Sequence, residues 1–305
     1  MNDEQLMIQT FTQAFKKYLY DELVVGKLAH TEFKDNLRKG TEIDIIMPAQ
    51  ITLHDFDGNV DENGFQIGDA EEAANSLAKI RINKGKYFHF FVDKVKEEQI
   101  KKAPDLKQKV ALAKEYSSDA IKQFAAVVDK AYAELYPMAG HYIDNSGSGY
   151  TLSATNVRDI FAYMQNEFKR GDRDGHNNWV DGQMIAIVPP EFEFYLAKQQ
   201  MYEHTDSGHK KVEKGFVGVA SGWDILVSNN IATTGSGADT FYYPLFGQRG
   251  KTLAGGVQRT LDMQSYVPDR RFDTFYKGYG VYGVGAPRAD LLGSVKVKAN
   301  PSIGS

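Results

Sequence analysis

The sequence predicts an α+β fold, and three observations carry that expectation. Two runs, residues 41–53 and 77–92, alternate apolar and polar residues with the period of a half-buried strand. Residues 105–136 keep a three/four apolar spacing over roughly nine helical turns. A wholly apolar stretch, Met184 to Val188, is stopped by Pro189 and Pro190. The chain has 305 residues, of which 42% are hydrophobic and 25% charged, and this balance excludes disorder along its whole length. It contains no cysteine, so disulfides, thiolate-bound zinc, iron–sulfur clusters and thiol nucleophiles are excluded. A net charge of -4 argues against a strongly cationic protein that binds nucleic acid by neutralising phosphates. No apolar run approaches the ~18 residues of a membrane span. The start, MNDEQLMIQT, lacks the basic-then-apolar pattern of a secretion signal, so a soluble protein made and used in the cytoplasm is expected.

Taken in order, residues 3–25 form the first predicted helix, amphipathic through Leu6, Phe11, Phe15, Leu19 and Leu23, with Gly26 as its stop. The two alternating runs follow. In the first, Ile43, Ile45 and Met47 share a face; in the second, Ile80 and Ile82 alternate with Lys79, Arg81 and Asn83. The intervening HDFDGNVDENGFQIGDAEEAANS has little core-forming power and is punctuated by Gly58, Gly64 and Gly68. The whole reads as a long antiparallel hairpin with an extended acidic tip. An isolated two-stranded hairpin is marginal in water, so this one is expected to lie on another subunit. The long helix over 105–136 carries Leu106, Val110, Ile121, Phe124, Val128, Ala131 and Leu135 on one side, is preceded by Pro104 and ends at Pro137 and Gly140. Residues 140–150 form a loop. Beyond them the spacing predicts a helix over 154–168, a strand over 184–188, a short helix over 191–199, and strands over 215–220 and 223–229 joined by Ser221-Gly222. Short strands with Gly and Pro between them then follow from Phe241.

Several chemical motifs are approached without being completed. Gly278, Gly280 and Gly283 satisfy the spacing of a dinucleotide-binding loop, but their flanks are strand-like, whereas that loop must open a helix. Gly247, Gly250, Lys251 and Thr252 approximate a phosphate loop, yet Leu245 stands where its first glycine is required. Asp57, Asn59, Asp61 and Asn63 alternate as in a calcium loop, but counting twelve from Asn59 reaches Ala70, and Glu71 arrives one residue late. The seven histidines make no helical pair around a glutamate, and no G-x-S-x-G elbow occurs. No reaction, catalytic residue, metal or cofactor is therefore expected, and the chain reads as a non-enzyme. One charge pattern stands out. Asp55, Asp57, Asp61, Glu62, Asp69, Glu71 and Glu72 crowd the tip without a basic residue, and eleven lysines and arginines follow between Lys79 and Lys114, beginning with Lys79, Arg81, Lys84 and Lys86. Two solvated faces would account for this. The alternative is complementarity between copies, the acidic tip of one subunit seated on a basic strip of the next, which would set register and partner choice.

In order and spacing, five stretches carry a family resemblance: GTEIDIIMPAQIT (40–52), INKGKYFHFFVDKVKEEQ (82–99), MIAIVPPEFEFYLAK (184–198), GFVGVASGWDILVSNNI (215–231), and the C-terminal stretch 262–297 with Arg270 and Arg271 before Phe272. Over residues 10–298 the chain resembles the major capsid (coat) protein of tailed bacteriophages, with the Hong Kong phage-type capsid fold. The resemblance implies an N-terminal arm (1–40), an extended loop (41–95), a peripheral domain with a long spine helix (96–150), an axial domain (151–260) and C-terminal strands returning to the peripheral domain (261–305). It implies a viral structural protein that self-assembles into hexamers and pentamers of an icosahedral head around double-stranded DNA, which it encloses without sequence-specific binding. The implied partners are further copies of itself, a portal protein, a separate scaffolding protein because only about 30 residues precede the loop, and an optional decoration protein. The implied location is the virion capsid, assembled in the host bacterial cytoplasm. The assembly contacts expected from charge are Asp55, Asp57, Asp61, Glu62, Glu71, Glu72, Lys79, Arg81, Lys84, Lys86, Arg270 and Arg271. An encapsulin-like bacterial nanocompartment shell shares this fold and stays open as an alternative, as does a metal- or nucleotide-dependent enzyme.

Overall fold

Five consecutive apolar residues, Met184–Val188, are all buried because their strand is covered on both faces. Met184, Ala186 and Val188 turn to one side, where Phe161, Met164, Phe168 and Phe192 lie; Ile185 and Ile187 turn to the other, against a cluster with Phe124, Val128 and Leu245. A strand buried on both faces has no need of polar alternation, which is why this one reads as a continuous run. The computed structural model describes residues 23–30, 42–47, 76–92, 106–153, 155–171, 178–198, 216–259, 264–269 and 274–299, and the architecture below is that of these residues.

In chain order, a single turn of 3-10 helix, Val25–Leu28, leads into β1 (Ala29–His30). Next come β2 (Glu42–Met47), β3 (Ser76–Arg81), β4 (Lys84–Val92) and the long helix α1 (Leu106–Ala133). After α1, β5 (His141–Ile143) and β6 (Tyr150–Thr151) precede α2 (Val157–Arg170), β7 (Met184–Val188) and α3 (Pro190–Lys198). Apart from two short 3-10 turns, Gly237–Asp239 and Ala289–Leu291, the remaining described elements are strands: β8 (Phe216–Ala220), β9 (Trp223–Val227), β10 (Ala232–Thr234), β11 (Phe241–Tyr243) and β12 (Leu245–Gln248). They are followed by β13 (Leu253–Arg259), β14 (Gln264–Tyr266), β15 (Thr274–Gly285), β16 (Leu292–Val295) and β17 (Val297–Lys298).

A six-stranded mixed sheet, β5-β16-β12-β7-β9-β8, forms the centre of the C-terminal half. One of its faces carries α2 and α3 over an aromatic core. Trp223 is fully buried, its ring edge-on to Phe168 (5.4 Å), Trp179 (4.9 Å) and Phe246 (5.2 Å). Edge-to-face contacts of this kind add to the burial energy, and the indole N–H is satisfied by donating to the Phe161 carbonyl at 3.1 Å. Pro190 is the first residue of α3, where its missing N–H costs nothing, so the double proline both ends β7 and starts the helix. The β8–β9 hairpin turns on Ser221 (φ 48) and Gly222 (φ 75), a two-residue loop with both central residues left-handed, whose twist matches that of the strands.

A second sheet, β1-β13-β15 with β14 and β4 also on β15, packs one face against α1, with Phe124 edge-on to Tyr282 at 5.8 Å and Phe90 stacked on Tyr276 at 5.4 Å. A small four-stranded sheet, β10-β11-β17-β6, joins α3 through the Tyr242 hydroxyl, which donates to Glu191 at 2.8 Å. Burial, and then that carboxylate, push the Tyr242 hydroxyl up to about 12.

Several expected elements differ in extent. The helix expected over 105–136 ends at Ala133, and Tyr136–Met138 continue as a short 3-10 turn around Pro137. The helix expected over 154–168 runs from Val157 to Arg170, and Gly171 (φ 77) ends it. Of the first expected helix only residues 23–25 lie within the described residues. Gly26 does not act as a stop, since it sits inside the turn Val25–Leu28. The main correction concerns the second alternating run. Residues 77–92 are not one return strand: β3 pairs with β2 in antiparallel register from Glu42↔Arg81 to Met47↔Ser76, and after Ile82-Asn83 the chain changes partner, so that β4 pairs with β15 from Tyr282↔Lys84 to Thr274↔Val92. Alternation continues across that joint, because both halves are half-buried strands, and a period of two is blind to which sheet a strand joins.

Candidate assembly surface

The joint between β3 and β4 explains the glycine-rich sequence that mimics a dinucleotide loop. Gly278, Gly280 and Gly283 all lie within β15, and none of them opens a helix. The glycines near its end make room for another strand's backbone. A Cβ on Gly283 would stand 2.6 Å from the Arg81 carbonyl oxygen and 3.0 Å from the Ile82 Cα, and one on Gly285 would stand 2.9 Å from the Ile80 side chain. The hairpin base is thus laid directly on β15 and β13, and Ile45, Ile80 and Ile82 bury themselves there with Ala254. The phosphate-loop mimic is likewise a strand turn. Gly250 (φ 67) lies between β12 and β13, and the buried Thr252 hydroxyl accepts from the Gln248 amide at 2.8 Å.

Only part of that face is covered. Ile80 lies over Gly285 and Arg81 over Gly283, so from its base toward its tip the hairpin runs off the C-terminal end of β15. The N-terminal half of the same face carries, among the described residues, a row of exposed aromatic side chains. Register places Tyr87 opposite Tyr279, His89 opposite Lys277 and Phe91 opposite Phe275, with Tyr266 of β14 on the other side of Phe275. Tyr87 is 82% exposed, Phe91 53%, Tyr279 43% and Tyr266 38%. The rings brace one another: Phe91 to Phe275 at 5.4 Å, Tyr266 to Phe275 at 5.6 Å and His89 to Phe275 at 5.5 Å. His89 Nε2 lies 2.9 Å from the Tyr266 hydroxyl, and the Lys277 ammonium sits 5.0 Å above the Tyr266 ring. Phe88 and Phe90, of opposite parity, pack inward. Strand β4 is therefore aromatic on both faces, where a solvent-facing strand would be polar on one. An exposed apolar patch of this kind on a folded surface marks an interaction site.

Of the residues singled out by charge, Lys79, Arg81, Lys84 and Lys86 fall within the described residues and are exposed. They do not form one free strip. Arg81 bonds Glu42 across the hairpin at 3.1 Å, and Lys84 lies 3.7 Å from Glu134, just past the end of α1. Lys79 stands on the hairpin and Lys86 on β4. Asp55, Asp57, Asp61, Glu62, Asp69, Glu71, Glu72, Arg270 and Arg271 lie outside the described residues. The aromatic face was missed from sequence, although Tyr87-Phe-His-Phe-Phe91 contained its signal: aromatic residues at both parities of one strand. Among the described residues no group of three or more His, Asp or Glu could hold a metal ion, and no helix is long and apolar enough to cross a membrane.

No protein-family model and no curated protein sequence matches the chain. Solved structures do. A structure from Mycobacterium phage Che8 is similar over 89% of this chain and 90% of its own, with a TM-score of 0.62 and 19% identity. The capsid of the cyanophage P-SCSP1u is similar over 92% and 89%, with a TM-score of 0.61 and 15% identity. A virus-like particle from Pyrococcus furiosus is similar over 94% and 98%, with a TM-score of 0.52 and 11% identity. The long helix beside a hairpin-bearing sheet, followed by a mixed-sheet half, is therefore the Hong Kong phage-type capsid fold that the sequence resembles.

Proposed function

We propose that the chain is the subunit of a closed protein shell, a major capsid protein of the tailed-bacteriophage type. The observation that carries this reading is a capsid fold shared over about nine-tenths of both chains in the cyanophage comparison. The aromatic face of β4, β15 and β14 supports it, because a subunit that buries this face only between copies has a physical reason to assemble. On this reading hexamers and pentamers close an icosahedral head around double-stranded DNA, held without sequence-specific contacts, and the extended loop of one copy, beyond its base on β15, lies over the next. The arm, peripheral, axial and C-terminal regions keep the bounds expected from the sequence. A scaffolding protein, a portal and an optional decoration protein would join the shell, which would assemble in the bacterial cytoplasm and end in the virion. The similarity to the Pyrococcus furiosus virus-like particle favours a second reading, an encapsulin-like compartment built from the same fold.

Electron microscopy of the purified protein tests the proposal. Closed shells, or rings of five and six, are expected, and a compact monomer at all concentrations would contradict it. DNA-filled particles with one distinct vertex separate the virion reading from the compartment reading.

Charge pairing between copies yields a further expectation. Reversing Asp57, Asp61 and Glu62 to lysine should lower particle yield while leaving the helical circular dichroism of the subunit unchanged. The loss should shrink with added salt, because exposed pairs are screened over about 8–10 Å. Particle yield equal to that of the parent at low salt would remove the charge-pairing element and leave the rest standing.

A further inference from the structure

Asp129 is the one buried carboxylate of α1 among the described residues, 1% exposed, and no cation accompanies it among the groups that act on it. Its partners come from far away in sequence. The Val24 amide donates to Oδ2 at 2.9 Å and the Gly26 amide to Oδ1 at 3.1 Å, with the Val25 amide and the Asn230 side chain as further donors acting on the group. Each carboxylate oxygen thus accepts a backbone N–H, which an amide side chain of the same shape cannot do with both of its polar atoms. Residues 23–30 form a strap across the subunit. Leu23, Val25 and Leu28 are buried against α1 and the mixed sheet, the Lys27 carbonyl accepts from the Gly250 amide at 2.9 Å, and β1 pairs in parallel with β13. Val24, the residue preceding the turn, has no side-chain acceptor of its own, so Asp129 supplies what the local sequence lacks.

We propose that Asp129 is a latch. Its carboxylate fixes where the N-terminal segment leaves the body of the subunit, ties that point to α1 and to the Asn230 loop, and releases the strap when those bonds are given up. Only a role for this strap in assembly rests on the shell reading.

Burial, the largest influence, pushes the Asp129 carboxyl above its ordinary range, and the Val24, Gly26, Val25 and Asn230 donors pull it part of the way back. The charged groups on the surrounding elements are Lys27 on the strap, Lys130 on α1, and Arg249 and Lys251 on the β12–β13 turn. None of them is among the groups acting on Asp129.

Hydrogen–deuterium exchange on the full chain tests the latch. Asp129→Asn keeps the shape but places an NH2 where a backbone N–H must be accepted. Exchange at the amides of 24–28 is expected to quicken about tenfold or more, with Met184–Val188 unchanged. Parent-like protection at 24–28, or equal acceleration in Met184–Val188, would overturn the proposal. If D129N does not fold, Asn230→Ala removes one donor and leaves the carboxylate. Exchange a few-fold faster at 24–26 supports the latch, and unchanged exchange overturns it. Particle shape in the same variants then reports on the shell reading separately: a loosened strap with normal particles leaves the latch intact and removes only its role in assembly.

Discussion

Replacing Gly283 with valine should unseat the hairpin base and abolish closed particles. A side chain there must occupy the space of the Arg81 carbonyl, 2.6 Å from its Cβ, and of the Ile82 Cα at 3.0 Å. Both obstacles are backbone, so no rotamer change relieves them. Either the hairpin lifts, exposing Ile45, Ile80 and Ile82, or β15 bends away from it. Overpacking of this kind costs about 1–3 kcal/mol. On the proposed shell reading, assembly depends on the hairpin held at one angle on every copy, so particle yield is expected to fall about tenfold or more, each tenfold corresponding to about 1.4 kcal/mol. Gly85 offers the control in the same sheet. A Cβ there meets only the Gly280 carbonyl at 3.5 Å, an ordinary contact, so Gly85→Ala should change stability by no more than about 0.5 kcal/mol and leave particle yield intact. Thermal unfolding and sedimentation of the two variants check both halves of the expectation.

The second large effect concerns the aromatic face, and here stability and assembly should separate. Tyr87 and Phe91 are mostly exposed in the subunit, and their exchange for aspartate removes little from the fold apart from the Phe91–Phe275 stacking. In a shell that covers this face, the same double variant would bury two uncompensated charges. Aromatic residues at the centre of an interface commonly contribute about 2 kcal/mol or more, so the concentration needed for assembly should rise about thirtyfold or more. Light scattering against protein concentration measures this directly. A Y87D/F91D protein that assembles at the parent concentration would show that the face stays open in the particle.

Much of the C-terminal half was legible because its signals are local. The double proline after Met184–Val188 marks the end of a strand and the start of a helix through backbone chemistry alone, and Ser221-Gly222 marks a hairpin through the left-handed conformations that its turn requires. Rejection of the glycine and phosphate-loop mimics was local too, since the first rested on strand-like flanks and the second on Leu245 in the place of a required glycine. Other features were hidden for identifiable reasons. The change of partner at Ile82-Asn83 leaves the alternation unbroken, so the sequence of 77–92 gives no mark of it. Charge drew attention to Lys79, Arg81, Lys84 and Lys86, but pairing depends on Glu42 and Glu134, which only folding brings near. The Asp129 latch joins residues more than a hundred positions apart, and nothing around either end announces it. The aromatic face lay between these cases. Its residues were in plain sight, but only the register of β4 on β15 shows that Tyr87, Tyr279, Phe91, Phe275 and Tyr266 form one surface.

Hydroxyl-radical labelling of Tyr87 and Phe91, compared between dissociated subunits and intact particles and read by mass spectrometry, asks most directly whether that surface is closed by neighbouring copies. Heavy labelling in the subunit and strong protection in the particle are expected, with Tyr163 on the outer side of α2 as an internal reference. Equal labelling of Tyr87 and Phe91 in both states would contradict the claim that assembly covers the face.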